Sequence, residues 1–138
     1  MMRRLKSKWL LCSLLLAVYP VCVLSYVWYH CLLSDFQGGE NGQLDAYRHI
    51  LASAVVTYTS SPKFVAVATA VMERKGKPAN LMDRHNNLIG VSIGETATSF
   101  SQINALVLQR VNEGTESSIE DSQATWLARP YWEKSLFW

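Results

Sequence analysis

His49 is the side chain of this sequence best suited to moving a proton near neutral pH, and its neighbours are of the kinds that such a histidine uses. It closes the run DAYRH, in which Asp45 lies one helical turn earlier and can orient the imidazole. Arg48 offers a guanidinium to an anionic substrate or to a neighbouring carboxylate. A second polar run, MDRHNNLIGVSIG, supplies Asp83, Asn86, Asn87, Gly90 and Gly94, which on a helix share one arc of about 100°. Such a face is costly to bury unless something hydrogen-bonds it, so the two runs are expected to meet.

Several readings of this polar centre stand side by side. As a hydrolase site, His49 is the general base, Asp45 orients it, Arg48 binds negative charge, and Asn86 with Asn87 positions the substrate. As a structural network, His49 is satisfied by Asn86 or Asn87, and Asp83 is a first-turn charge favoured by the helix dipole. Arg48 then pairs with Glu73 or Asp83. As a metal site, His49, Glu73 and Asp83 offer nitrogen and oxygen donors, yet no spacing resembles H-E-x-x-H or another dedicated metal motif. No cofactor is therefore assigned, and a divalent metal is the minor reading.

Other candidates are generic. Glu73 sits near the end of its helix, where the dipole disfavours it, and is either solvated or part of the centre. Ser53, one turn from His49, and the isolated Glu95 carry no recognisable catalytic pattern. His85 points about 200° away from Asp83 on the same helix and is expected at the surface.

The elements that hold these residues read as helices. Asp45–Thr59 is apolar on most sides, as a central helix should be. Ser61-Pro62 starts the next helix, which runs to about Lys75 before Gly76 and turns Val67, Val71 and Phe64 inward. Asn80 caps a helix over Leu81–Ala97 in which Leu88, Ile89 and Ile93 are apolar contacts and Gly90 and Gly94 admit a close neighbour. A fourth helix passes through Ile103, Leu106, Val107 and Val111 to a stop at Gly114, and a short helix follows at Ser122–Leu127. The fold expected is all-α, a bundle of four or five helices behind an N-terminal transmembrane helix.

Trp9–Leu33 carries no charged side chain and as a helix is about 37 Å long, enough to cross a hydrocarbon core of about 30 Å. Arg3, Arg4, Lys6 and Lys8 precede it, and Asp35, Glu40 and Asp45 are the first charges after it, which places the N-terminus in the cytoplasm and the domain in the periplasm. The alternative is a cleaved signal peptide, but the run exceeds the usual apolar region of one. The layout is thus a basic tail over residues 1–8, an anchor over 9–33, a flexible tether over 34–43 and an exported domain over 44–138.

Composition supports that layout. The sequence of 138 residues is 49% hydrophobic and 17% charged, one globular unit plus one apolar segment. Its net charge of +2 is a property of the basic tail, so no nucleic-acid footprint is present. Cys12, Cys22 and Cys31 all precede the domain, which leaves it without a disulfide or a thiolate metal site. At the other end, Trp126, Tyr131, Trp132, Phe137 and Trp138 either cover the open end of the bundle or form a partner-binding apron. No oligomeric state follows from these patterns.

The two motifs together resemble a bacterial domain family whose signatures read D-A-[YF]-R-H, a helix ending in glutamate, and M-D-x-x-N-N-x-x-G-x-x-x-G. The match spans about Leu44–Gly94, through Asp45, Arg48, His49, Glu73, Asp83, Asn86, Asn87, Gly90 and Gly94. The chain departs from it at Ala52 and Ser53, where many relatives carry an aromatic residue, and in a short loop before Met82. The resemblance implies an exported helical domain of secreted, membrane-associated or toxin-like proteins with a shared polar centre, and no named reaction. Function is then expected in one of two classes. The first is an inner-membrane accessory that binds other envelope proteins of a secretion, conjugation or phage-related system, and the second an envelope hydrolase acting on lipid or peptidoglycan.

Overall fold

A computed structural model describes residues 2–74, 81–119 and 121–132, with side chains from residue 17 onward and not for 72–74. It is all-helical in its framework: α1 (Met2–Leu33), α2 (Gln43–Thr59), α3 (Pro62–Arg74), α4 (Leu81–Thr96) and α5 (Phe100–Asn112). A minimal parallel pair, β1 (Glu116–Ser117) with β2 (Trp126–Leu127), and a 3₁₀ turn at Arg129–Tyr131 complete it. The chain therefore forms a small helical bundle, with four helices after α1, as its periodicities imply.

α2 is the axis. It buries Tyr47, Ile50, Leu51, Ala54 and Val55 against residues from α1, α4, α5 and β2, and touches every other helix. α1 packs on it through Val23, Val27 and Cys31, one residue per turn, and runs antiparallel, so that Tyr19 shares a 2.7 Å hydrogen bond with Thr59 at the far end of α2. α5 is also antiparallel, with Ile103, Val107 and Val111 inward, Tyr47 donating to Asn104, and Phe100 beside Tyr58. Burial raises the pKa of the Tyr47 hydroxyl, which this hydrogen bond keeps paired.

The α2–α4 contact is parallel and close. A methyl group on Gly90 would stand 2.6 Å from Ser53 Cβ, and one on Gly94 would stand 2.6 Å from the Ala54 carbonyl oxygen. The two glycines accordingly face α2 at backbone range, which is the reason a helix tolerates both at a cost of about 1 kcal/mol each.

Four expectations change. α3 starts at Pro62 with Lys63 N–H on Ser61 Oγ at 3.2 Å, but Phe64, Val67 and Val71 face outward, 57%, 59% and 42% exposed. Val65 and Thr69 turn inward instead, because the neighbouring surface of α4 presents the carboxamide of Asn87, which Thr69 can hydrogen-bond and Phe64 cannot. Leu88 is likewise exposed, since the α4 face that meets α2 is the glycine face. Residues 122–127 form a turn and strand β2 rather than a short helix. Asp121 Oδ1 accepts the N–H groups of Gln123 (2.7 Å) and Ala124 (2.8 Å), drawing the chain into a tight turn before β2 pairs with β1.

Residues 34–42, expected as a tether, are built into the start of α2. Gly42 occupies the N-cap without a side chain to offer, so the carbonyls of Gln37 and Gly38 take the N–H groups of Leu44 (3.0 Å) and Asp45 (3.1 Å). Gly38, at φ +81°, lies against the Trp132 ring, and the Asn41 carbonyl accepts Leu127 N–H at 2.8 Å. Trp126 is buried over Gly114, where any Cβ would meet its ring. Trp132 packs on the core and donates its indole N–H to the Leu127 carbonyl.

α1 carries the uncharged run in one continuous helix of 32 residues. Among the described residues, no helix is long and apolar enough to cross a membrane.

Candidate functional site

Asp45 enters the site from the first turn of α2 and is held on both oxygens. Oδ2 accepts Asn41 N–H at 2.9 Å, and Oδ1 accepts from the Arg48 guanidinium three residues along. Arg48 in turn lies over the Trp28 ring, 5.7 Å from its centroid, so α1 steadies the cation that steadies the carboxylate. His49 follows on the same face of α2, its Nε2 3.6 Å from Asp45 Oδ1. Asp83, in the first turn of α4, completes the group with Oδ1 3.4 Å from the same nitrogen.

These separations are longer than a good N–H···O bond, so the imidazole is flanked by two carboxylates without being locked to either. The Asp45 side chain is 7% exposed, Asp83 22% and His49 30%, which makes a set anchored at one end and open to solvent at the other. Donor atoms of Asp45, His49 and Asp83 all lie within 4.8 Å of one another. This is the set that could hold a cation; Asp45 takes the third place that the spacing gave to Glu73, whose side chain lies outside the described residues.

The carboxamides of the second motif are used elsewhere. Asn86, 2% exposed, donates Nδ2 to the Thr125 carbonyl at 2.9 Å and tethers the segment before β2, while its buried Oδ1 has no hydrogen-bond partner. Asn87 accepts from Ser53 Oγ at 2.9 Å and donates to Thr69 Oγ1 at 3.5 Å, tying α2, α3 and α4 together. Neither bonds His49. Ser53, engaged by Asn87 and 5% exposed, is no free nucleophile, and Glu95 is exposed and apart.

Asn41 and Trp28 contribute without having been singled out from the sequence. Asn41 sits at φ 62° in a glycine-rich run that reads as linker, and Trp28 in an apolar run that reads as anchor. A small cavity of about 110 Å³, lined by Trp28, Cys31, Leu32, Ser34, Phe36 and Leu44, lies behind Arg48 and includes none of the three convergent residues. Of the aromatic tail, Trp126 and Trp132 are packed inside, Tyr131 is 54% exposed, and Trp138 lies outside the described residues.

Comparison of the chain with protein-family models, with curated proteins and with solved structures finds no match, so the functional reading rests on this geometry.

Proposed function

We propose that this chain is an accessory protein held at the bacterial inner membrane by the N-terminal part of α1, its helical domain on the periplasmic side binding other envelope proteins. The observation that carries the reading is the direction in which the apolar run leaves the bundle. α1 lies along α2 from Cys31 back to Tyr19, which bonds Thr59, so its N-terminal part departs at the end of the bundle where Tyr58, Phe64 and Phe100 are exposed. Aromatic side chains gathered at that end suit a membrane interface. Asp45, His49 and Asp83 then face the aqueous side, about 14 Å further along α2.

For the partner, the outward face of α3 is the natural contact surface. Phe64, Val67 and Val71 form an apolar stripe three and four residues apart, while of the aromatic tail Trp126 is buried and Trp132 packs against the core. A photo-crosslinking residue at position 67, compared with one at the exposed position 95, tests both parts in the producing cell. The expected outcome is a specific adduct with an envelope protein at 67 only, from a chain recovered with the inner membrane. A chain recovered in the soluble fraction, or equal labelling at both positions, overturns the reading.

The second reading, a hydrolase, is favoured by one observation, the exposure of a histidine flanked by two carboxylates. It keeps His49 as base and Asp45 as its orienting partner, but Arg48, Asn86 and Asn87 already have intramolecular partners. Turnover of envelope lipid or peptidoglycan by the wild type, abolished in His49→Ala, would select it over the accessory role.

A further inference from the structure

We propose that Asp45, His49 and Asp83 form a binding site for one divalent cation of the zinc class. This goes beyond the accessory role and does not depend on it. The donor set is one imidazole nitrogen and two carboxylates, the borderline mixture that zinc accepts in sites with three protein ligands and an open fourth position.

Distances carry the argument. A cation with bonds of about 2.0–2.2 Å in tetrahedral geometry sets its donors about 3.3–3.6 Å apart, and His49 Nε2 stands 3.4 Å from Asp83 Oδ1 and 3.6 Å from Asp45 Oδ1. Both are edge lengths for a shared cation, and donor atoms of all three residues lie within 4.8 Å of one another. The same nitrogen faces both acids, so one atom, not a diffuse acidic surface, defines the centre.

The surroundings fit a ligand cage. Asp45 is fixed by Asn41 N–H on one oxygen and Arg48 on the other, and Arg48 by Trp28, the kind of outer support that orients metal ligands. A carboxylate oxygen has two acceptor positions, so Oδ1 can serve Arg48 and a cation together. The partial exposure of His49 and Asp83 leaves an entry path.

The contrary explanation of the same geometry is a protonated histidine between two acids, with no metal. The full chain, free of any affinity tag and purified in detergent, distinguishes the two after treatment with a chelator and titration with Zn²⁺ by calorimetry. Cobalt(II) serves as the spectroscopic probe, since four-coordinate cobalt absorbs visible light strongly. The expected result is one equivalent of Zn²⁺, a four-coordinate cobalt spectrum, and binding weakened at least about a hundredfold in Asp83→Asn and in His49→Gln. His85→Gln should bind as the wild type does. Circular dichroism of each metal-free variant shows whether it is folded, and Asp45→Asn provides a third ligand change if either is not. No uptake by the wild type overturns the proposal, as does uptake that the ligand variants leave unchanged.

Discussion

The contact between α2 and α4 has two ends built from one pair of motifs, and polar side chains do opposite things at them. Towards Gly90 and Gly94 the backbones are so close that no Cβ fits, and Asn87 closes a hydrogen-bonded bridge from Ser53 to Thr69. Towards the N-termini of the two helices Asp45, His49 and Asp83 converge, the imidazole nitrogen 3.4 Å and 3.6 Å from the two acids and solvent at hand. At the closed end polarity specifies packing; at the open end it gathers around a partly exposed histidine. Histidine and carboxylate are retained where they can act, carboxamide and glycine where helices must touch.

Substitutions at the closed end should therefore be the most damaging. Gly90→Val puts a branched side chain into the Ile50 carbonyl and Ser53 Cβ and should lower stability by about 3 kcal/mol, read as the midpoint of urea unfolding of the full chain in detergent. A loss under about 1 kcal/mol would mean that the helices separate easily and that the closed end is not closed. Asn87→Ala leaves Ser53 and Thr69 without their shared partner and should cost about 1–3 kcal/mol by the same measurement.

How much of this could be read from the residues depends on whether a pattern has one solution. The helix starting at Ser61-Pro62, the stop near Gly114 and the meeting of DAYRH with MDRHNN each follow from local rules that tertiary structure did not override. The inward face of α3 did not follow, because Val65 and Val67 are both apolar amid alanines, and only the carboxamide opposite Thr69 chooses between them. Asn86 and Asn87 are chemically identical neighbours about 100° apart on the helix, and which one meets Thr125 and which meets Ser53 is set by segments distant in the chain. Likewise, β1 and β2 are two residues each, too short to leave a period, and Gly38–Gly42 reads as linker until Trp132 is seen to cover Gly38.

At the open end the corresponding change should be mild. His49→Gln removes an imidazole that is 30% exposed and whose Nε2 stands 3.4 Å and 3.6 Å from the two acids. Its unfolding midpoint should move by no more than about 0.5 kcal/mol in the metal-free chain. A loss as large as that of Asn87→Ala would erase the distinction between the ends and make His49 part of the structural network.

The smallest effect reaches the closed end from outside, through acid. Asp121 accepts the backbone N–H groups of Gln123 and Ala124, and the Ser117 hydroxyl at 3.3 Å; these bonds, that of Gln123 first, hold its pKa below the ordinary 3.8. The charged form is favoured by folding, so its contribution is in place above pH 3.8 and is lost as the pH falls through the lower folded value. Because Thr125, the next residue along, gives its carbonyl to Asn86, protonation should loosen the turn that braces α4 at its buried side. Thermal unfolding followed from about pH 5 down to about pH 2 should show a small loss in the wild type that Asp121→Asn lacks, since asparagine has no charge to lose. If both proteins decline in parallel, the acid response belongs to other carboxylates, and the turn at Asp121 does not govern how firmly Asn86 is held.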